Sequence, residues 1–193
     1  MNQNERMYSI GVQSINLTEF SQEGRILDIG GGGEGIIGQL LGEKVVAIDP
    51  RGDELEEAAE GPLKIIMDAR ELKFLNETFD GITSFFTLMY VEKQYHYKVF
   101  EEIHRVLKDK GEFTMWDATI PQYPGEIKDI FLVPLEIKLR SRKITTTYGV
   151  LWDKAEQDMN YYIKLGETVG FQIVMKEEIN QIYCIKFKKK VRV

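Results

Sequence analysis

The stretch Ile26-Leu27-Asp28-Ile29-Gly30-Gly31-Gly32-Gly33-Glu34-Gly35 decides the fold. A short apolar run ends in glycines, and an apolar stripe at helical spacing, Ile36, Ile37, Leu40 and Leu41, follows at once with Gly42 as its natural stop. Glycine lets the chain turn tightly and lets a ligand reach the main chain, while the helix start offers unpaired N–H groups. Gly30, Gly32 and Gly35 satisfy G-x-G-x-x-G, a pattern shared by dinucleotide folds and by folds for other nucleoside cofactors.

Working outward, the apolar runs 25–29, 44–48, 63–67, 79–86 and 112–117 alternate with amphipathic stretches. They are too apolar for strands with one wet face, so they predict a mostly parallel sheet covered on both sides. The helix predicted over 93–108 places Val99, Phe100, Ile103, Val106 and Leu107 toward the core. After Asp117 the order changes. Residues 120–152 read as an inserted β-hairpin: Phe131, Val133, Leu135, Ile137 and Leu139 alternate with polar neighbours, as do Ile144, Thr146, Tyr148, Val150 and Trp152, and Pro134 suggests an edge strand. Asp153 and Glu156 have capping-box spacing for a helix ended by Gly170, and two strands, 171–175 and 181–187, close the chain. The expected architecture is α/β: a Rossmann-like, doubly wound, mostly parallel seven-stranded sheet in one domain over 1–193, with the hairpin after the fifth strand.

Composition narrows the function. The 193 residues suit one domain that buries a core without metal or disulfide. A net charge of −6 argues against a general nucleic-acid clamp, and no DNA partner is expected. Cys184 is the single cysteine, which excludes an intrachain disulfide and structural zinc; no metal is expected. No apolar run approaches a membrane span and the first residues lack a signal-peptide core, so the expected compartment is the cytoplasm.

Three acids stand at successive strand ends. Asp49 lies about 20 residues past Gly30, where a carboxylate can accept from ribose hydroxyls, as both NAD and S-adenosylmethionine require. Asp68, followed by Ala69, is placed to accept from an adenine amino group. Asp28 precedes the first glycine, where it could orient the loop or answer a cationic amino group; a pyrophosphate would be repelled there.

At this point the chain resembles the class I S-adenosylmethionine-dependent methyltransferases. The likeness rests on Ile26 through Gly32, Val46-Ala47-Ile48-Asp49, Met67-Asp68-Ala69, Phe79-Asp80-Gly81-Ile82-Thr83-Ser84 and Arg105-Val106-Leu107-Lys108-Asp109-Lys110-Gly111. It implies S-adenosyl-L-methionine as cofactor. The loop Gly30, Gly31, Gly32 would meet its methionine portion, Asp49 its ribose and Asp68 its adenine, with Asp28, Ala69 and Phe86 as further contacts. The usual last glycine of the loop is Glu34 here, with glycine one place later at Gly35. The run 85–90 lacks the Asn/Asp-Pro-Pro-aromatic motif of relatives that methylate planar amino groups, and also the proline-cysteine pair of cytosine-C5 enzymes. The implied activity is methyl transfer to a small or medium-sized acceptor, with a loose likeness to the ubiquinone and menaquinone type.

An NAD-linked oxidoreductase and a non-catalytic S-adenosylmethionine-binding protein are the alternatives. His96, at the start of the helix after the fourth strand, is the one candidate catalytic residue; His104 reads as an ordinary helix residue and Cys184 as a buried, inert thiol. The hairpin could cover the acceptor site or join two subunits as a homodimer. The basic run 186–192 reads as a solvated strand edge.

Overall fold

The computed structural model describes residues 3–190. The strands are β1 (Met7–Ser9), β2 (Gln13–Asn16), β3 (Ile26–Ile29), β4 (Val45–Asp49), β5 (Leu63–Ile66), β6 (Phe79–Phe85), β7 (Leu107–Ala118), β8 (Ile130–Lys138), β9 (Lys143–Leu151), β10 (Phe171–Ile179) and β11 (Ile182–Lys189). The α-helices are α1 (Ile36–Leu41), α2 (Gly52–Glu57), α3 (His96–Val106) and α4 (Met159–Val169).

Seven strands form one sheet in the order β10-β11-β7-β6-β3-β4-β5. β3 pairs in parallel with β4 and β6, β4 with β5, and β6 with β7, whereas β11 runs antiparallel to both β7 and β10. Every residue of β3 is buried, as its position at the centre of a covered sheet demands. The sheet is therefore mixed but mostly parallel.

One face of this sheet carries α3 and α4. Phe100 of α3 meets Phe113, Tyr162 and Phe187 at ring-centroid distances of 5.6, 5.9 and 5.8 Å, all buried. Truncating such a ring to alanine costs about 3–5 kcal/mol, so Phe100→Ala is the change that breaks this layer. The other face departs from double winding by helices. There α1 and α2 share the cover with a second, four-stranded sheet, in which β8 pairs antiparallel with β9 and parallel with β1 and β2. Phe131, Val133, Leu135 and Ile137 of β8 are fully buried against Phe85, Phe86 and Trp116, among others.

Several expectations need correction. Pro134 does not mark an edge, because β8 lies inside its sheet. Leu132 O and Lys138 O accept from Ile10 N (3.2 Å) and Leu17 N (2.9 Å) on the β1–β2 side, and strand alternation turns residue 134 to that same side. It falls opposite the break between β1 and β2, whose pairings end at Leu132 and resume at Leu135, so no donor is missed there. The N-terminal strands carry too little apolar pattern to be read from sequence.

Asp153 and Glu156 do not cap α4. Asp158 does, with Oδ1 accepting from Tyr161 N at 2.7 Å, and Gly170 ends the helix at φ 109° as expected. The basic run 186–192 is not a sheet edge over its described part. β11 is an interior strand, and the buried Lys189 donates from Nζ to Leu107 O at 2.6 Å; Val191 and Arg192 lie outside the described residues. The helix expected over 93–108 is shorter, α3 being preceded by a 3-10 turn over Lys93–Tyr95. Among the described residues no helix is long and apolar enough to cross a membrane.

Candidate active site

In an open parallel sheet, ligands bind beyond the carboxyl ends of the strands, where the strand order reverses. Here the chain moves outward from β3 through β4 to β5, then returns to β6 on the other side of β3. The loops after β3, β4, β5 and β6 wall a cleft of about 690 Å³ at that point.

The glycine loop forms one wall. Gly30 and Gly31 donate from their backbone N–H groups to Ile48 O at 2.8 and 3.0 Å, pinning the loop to the end of β4. Gly30 has φ 72°, and a Cβ there would lie 2.2 Å from the Thr87 side chain, so both backbone and space require glycine. At Gly32 a Cβ would meet Glu54 Cβ at 2.6 Å. Gly30 and Gly32 line the cleft, whereas Gly31 lies behind its wall.

Asp28 also lies behind the wall, 2% exposed. Its Oδ1 accepts from Thr83 Oγ1 at 2.7 Å, and its Oδ2 sits 2.8 Å from where a Cβ on Gly31 would be. Of the two roles read for Asp28, this placement suits orientation of the loop. Burial pushes its carboxyl up to about 7, opposed by the Thr83 hydrogen bond and reinforced by the charge of Asp49.

Asp49 faces the cleft from the end of β4. One oxygen accepts from Arg51 N at 2.9 Å, and the neighbouring Gly32 N–H favours the ionised carboxylate. Burial raises its pKa, and these donors oppose the rise. A carboxylate has about four lone-pair sites, so acceptor capacity is left for a ligand.

Asp68 lines the cleft beside Ala69, but its carboxylate is already engaged. Arg70 donates to it from its backbone N at 2.8 Å and from Nε at 2.9 Å, and this neighbour holds the carboxyl below its ordinary value. The Arg70 guanidinium in turn packs over the Tyr95 ring at 4.6 Å. Any contact of Asp68 with an adenine amino group uses the lone pairs that Arg70 leaves.

Phe86 lines the cleft in an unusual backbone state, φ 50°, which a bulky side chain adopts at a cost of about 1–3 kcal/mol. Its ring stacks on Tyr148 of β9, centroids 5.3 Å apart and 12° from parallel.

Sequence reasoning missed how β9 meets the glycine loop. Glu34 accepts from the Thr146 hydroxyl through Oε1 and from Tyr148 OH through Oε2 at 3.1 Å, and Gly149 N donates to Tyr90 OH at 3.2 Å. Glu34 stood out in the sequence only as a departure from glycine. Nothing local links it to a tyrosine 114 residues away.

His96 is not on the cleft wall. It is 3% exposed, with Nε2 against Leu88 O and Val91 O at 3.1 and 2.9 Å and Nδ1 3.1 Å from Tyr161 OH. Burial lowers its pKa, which keeps the ring neutral: Nε2–H donates to the carbonyls and Nδ1 accepts from tyrosine. This is the geometry of a packed core histidine and not of a base facing substrate. His104 packs edge-on against Phe171, and the half-buried Cys184 thiol is pushed up to about 12 by burial. Among the described residues no group of three His, Cys, Asp or Glu side chains could hold a metal ion.

The fold and cleft define an α/β protein built to take a nucleoside cofactor. Residues 27–115 match the family model described as a methyltransferase domain. Among solved structures, the chain is similar to a protein from Pyrococcus horikoshii at 20% identity, covering 88% of this chain and 84% of that one with a TM-score of 0.66. It is similar to an S-adenosylmethionine-dependent methyltransferase from Mesorhizobium loti at 16% identity, with coverage of 86% and 90% and a TM-score of 0.61. A further S-adenosylmethionine-dependent methyltransferase, from Methanosarcina mazei, matches at 16% identity, with coverage of 90% and 95% and a TM-score of 0.64. No curated protein matches the sequence. The structural likenesses carry the fold and the family match carries the domain. Residues 27–115 thus carry a methyltransferase domain match, within a chain whose fold is shared with S-adenosylmethionine-dependent methyltransferases.

Proposed function

We propose that the cleft holds S-adenosylmethionine with its methionine portion along Gly30 and Gly32, its ribose at Asp49 and its adenine beside Asp68 and Ala69, and that a small or medium-sized acceptor enters from the β9 side. The observation that carries this reading is Asp49, which faces the same cleft as the glycine loop with acceptor capacity to spare. The residues present fit the cofactor: the loop admits main-chain approach at Gly30 and Gly32, and Phe85, Phe86 and Val91 supply apolar wall. A dinucleotide fits less well, because carboxylates line the cleft where a pyrophosphate would need cations, and Arg51 and Arg70 are paired with Asp53, Glu54 and Asp68.

When bound, the cofactor supplies a methyl group on an already activated sulfonium leaving group. The protein's task is then to hold the acceptor in line and to exclude water, and a base is needed only where the nucleophile carries a proton. Residues 120–152 act in this reading as the acceptor-side cover of a single methyltransferase domain, with Tyr148 and Gly149 on the cleft wall. A homodimer joined edge to edge through the hairpin would use β9, since β1 and β2 cover the other edge of β8. The likeness of Arg105-Val106-Leu107 to the ubiquinone and menaquinone type carries no information about the acceptor. Arg105 is tied to Glu102, Leu72 O and Phe74 O, away from the cleft. Release of S-adenosylhomocysteine during incubation with panels of amine, hydroxyl and thiol acceptors tests the reading. Cofactor binding without turnover on any panel would favour the non-catalytic alternative.

A further inference from the structure

We infer that the acceptor carries a cationic ammonium group, separate from the atom that takes the methyl, which lies against Tyr90 and Tyr148 with Glu34 as its counter-charge. The inference rests on the cofactor reading above for the remainder of the cleft. Once Gly30, Gly32, Asp49 and Asp68 are assigned to the cofactor, one corner is left over, at the junction of the glycine loop, the end of β6 and β9. Its walls are aromatic: Tyr148 stacks on the buried Phe86, and Tyr90 is held in place by the hydrogen bond from Gly149 N.

Glu34 supplies the charge. Donation from the Thr146 hydroxyl and Tyr148 OH fixes the carboxylate against the wall and leaves lone pairs on both oxygens. Burial raises the pKa of Tyr148 and pushes Tyr90 up to about 12, so both phenols are neutral near pH 7 and the anion of the corner is Glu34. A fixed carboxylate beside aromatic faces, partly removed from water, is the environment that favours an ammonium group over a neutral isostere.

The rest of the lining points the same way. Its guanidinium groups, Arg51 and Arg70, are paired with Glu54 and Asp68 and offer little to an anionic acceptor. Asp49 is used by the ribose in the cofactor reading, which leaves Glu34 and Glu92 as the carboxylates facing the acceptor space. An acceptor presenting a carboxylate or phosphate to this corner would meet repulsion there, whereas an ammonium group remote from the reacting atom completes the charge balance.

The test uses the full chain and three probes of one shape: benzylamine, protonated at neutral pH, benzyl alcohol and benzoate. Each is titrated into isotope-labelled protein with and without S-adenosylhomocysteine, and the amide signals of Glu34 and Gly149 are followed. A charge-assisted contact plus a cation–π contact predicts that the amine binds at least about tenfold tighter than the alcohol. Glu34→Gln should remove most of that preference. If this variant does not fold, Tyr90→Leu, which spares the carboxylate, should weaken the amine selectively. Equal binding of amine and alcohol, tighter binding of benzoate, or shifts confined to other parts of the chain would overturn the proposal. Binding of S-adenosylhomocysteine without amine preference would refute the acceptor class and leave the cofactor reading standing. Amine preference without S-adenosylhomocysteine binding would do the reverse.

Discussion

Asp49→Ala separates a ribose-binding carboxylate from a loop brace. Of the approximately four lone-pair sites of Asp49, which lines the cleft, Arg51 N takes one, so at least two remain for ribose hydroxyls. Two hydrogen bonds from ribose hydroxyls to a charged acceptor, at about 1.5–3 kcal/mol each and not fully additive, amount to about 2–4 kcal/mol of binding. At about 1.4 kcal/mol per decade this is a loss of roughly 30- to 1000-fold in affinity for S-adenosylhomocysteine, read by isothermal titration calorimetry. The substitution also deprives Arg51 N of its acceptor, at about 1–2 kcal/mol of stability where water replaces the carboxylate. Asp49→Asn, which keeps one acceptor oxygen for Arg51 N, serves as the fold-preserving companion and should still bind weakly. Unchanged affinity in a folded Asp49→Ala protein would refute the ribose assignment, and unfolding of both variants would make Asp49 a structural cap.

Gly30→Ala places a Cβ 2.2 Å from Thr87 at a positive φ. Left-handed strain of about 1–2 kcal/mol plus overpacking of about 1–3 kcal/mol should lower the melting temperature by roughly 5–15 °C, measured by circular dichroism; no change would mean that the loop is built differently. His96→Ala should cost stability, about 1–3 kcal/mol for the carbonyl and tyrosine partners it leaves, while S-adenosylhomocysteine affinity stays at the wild-type value. Lost turnover at intact stability and affinity would instead return His96 to the catalytic list. Asp28 makes stability fall with rising pH. The unfolded chain gives up this proton near the usual carboxylate value of about 3.9, the folded protein only near 7. The contribution is therefore full below pH 4 and is lost between pH 4 and 7. Urea midpoints at pH 5 and 7.5 should differ less in Asp28→Asn than in wild type, and identical slopes would place the titration elsewhere.

What was legible in the sequence was what local pattern records. Strands β3 to β7 follow from apolar runs, and the loop after β3 from its glycines. Asp49 and Asp68 follow from their position at strand ends, because strand polarity fixes where such residues emerge. The Pro134 edge failed because the pattern of β8 does not reveal what pairs with it, and the short β1 and β2 carry weak apolar signals of their own. The α4 cap failed by five residues, since Asp153 and Asp158 offer the same chemistry and only the chain path over 152–157 chooses between them. His96 was misjudged because helix position alone does not show whether a ring turns inward. The Glu34–Tyr148 contact depends on the second sheet folding back over the first, a tertiary fact with no local trace.

Parallel calorimetric titrations of the unmodified protein with S-adenosylhomocysteine and with NAD test the cofactor assignment most directly. The glycine loop, the spare acceptor capacity of Asp49 and the scarcity of free cations along the cleft predict saturable one-site binding of S-adenosylhomocysteine and no heat from NAD. Tight binding of NAD with no response to S-adenosylhomocysteine would contradict it.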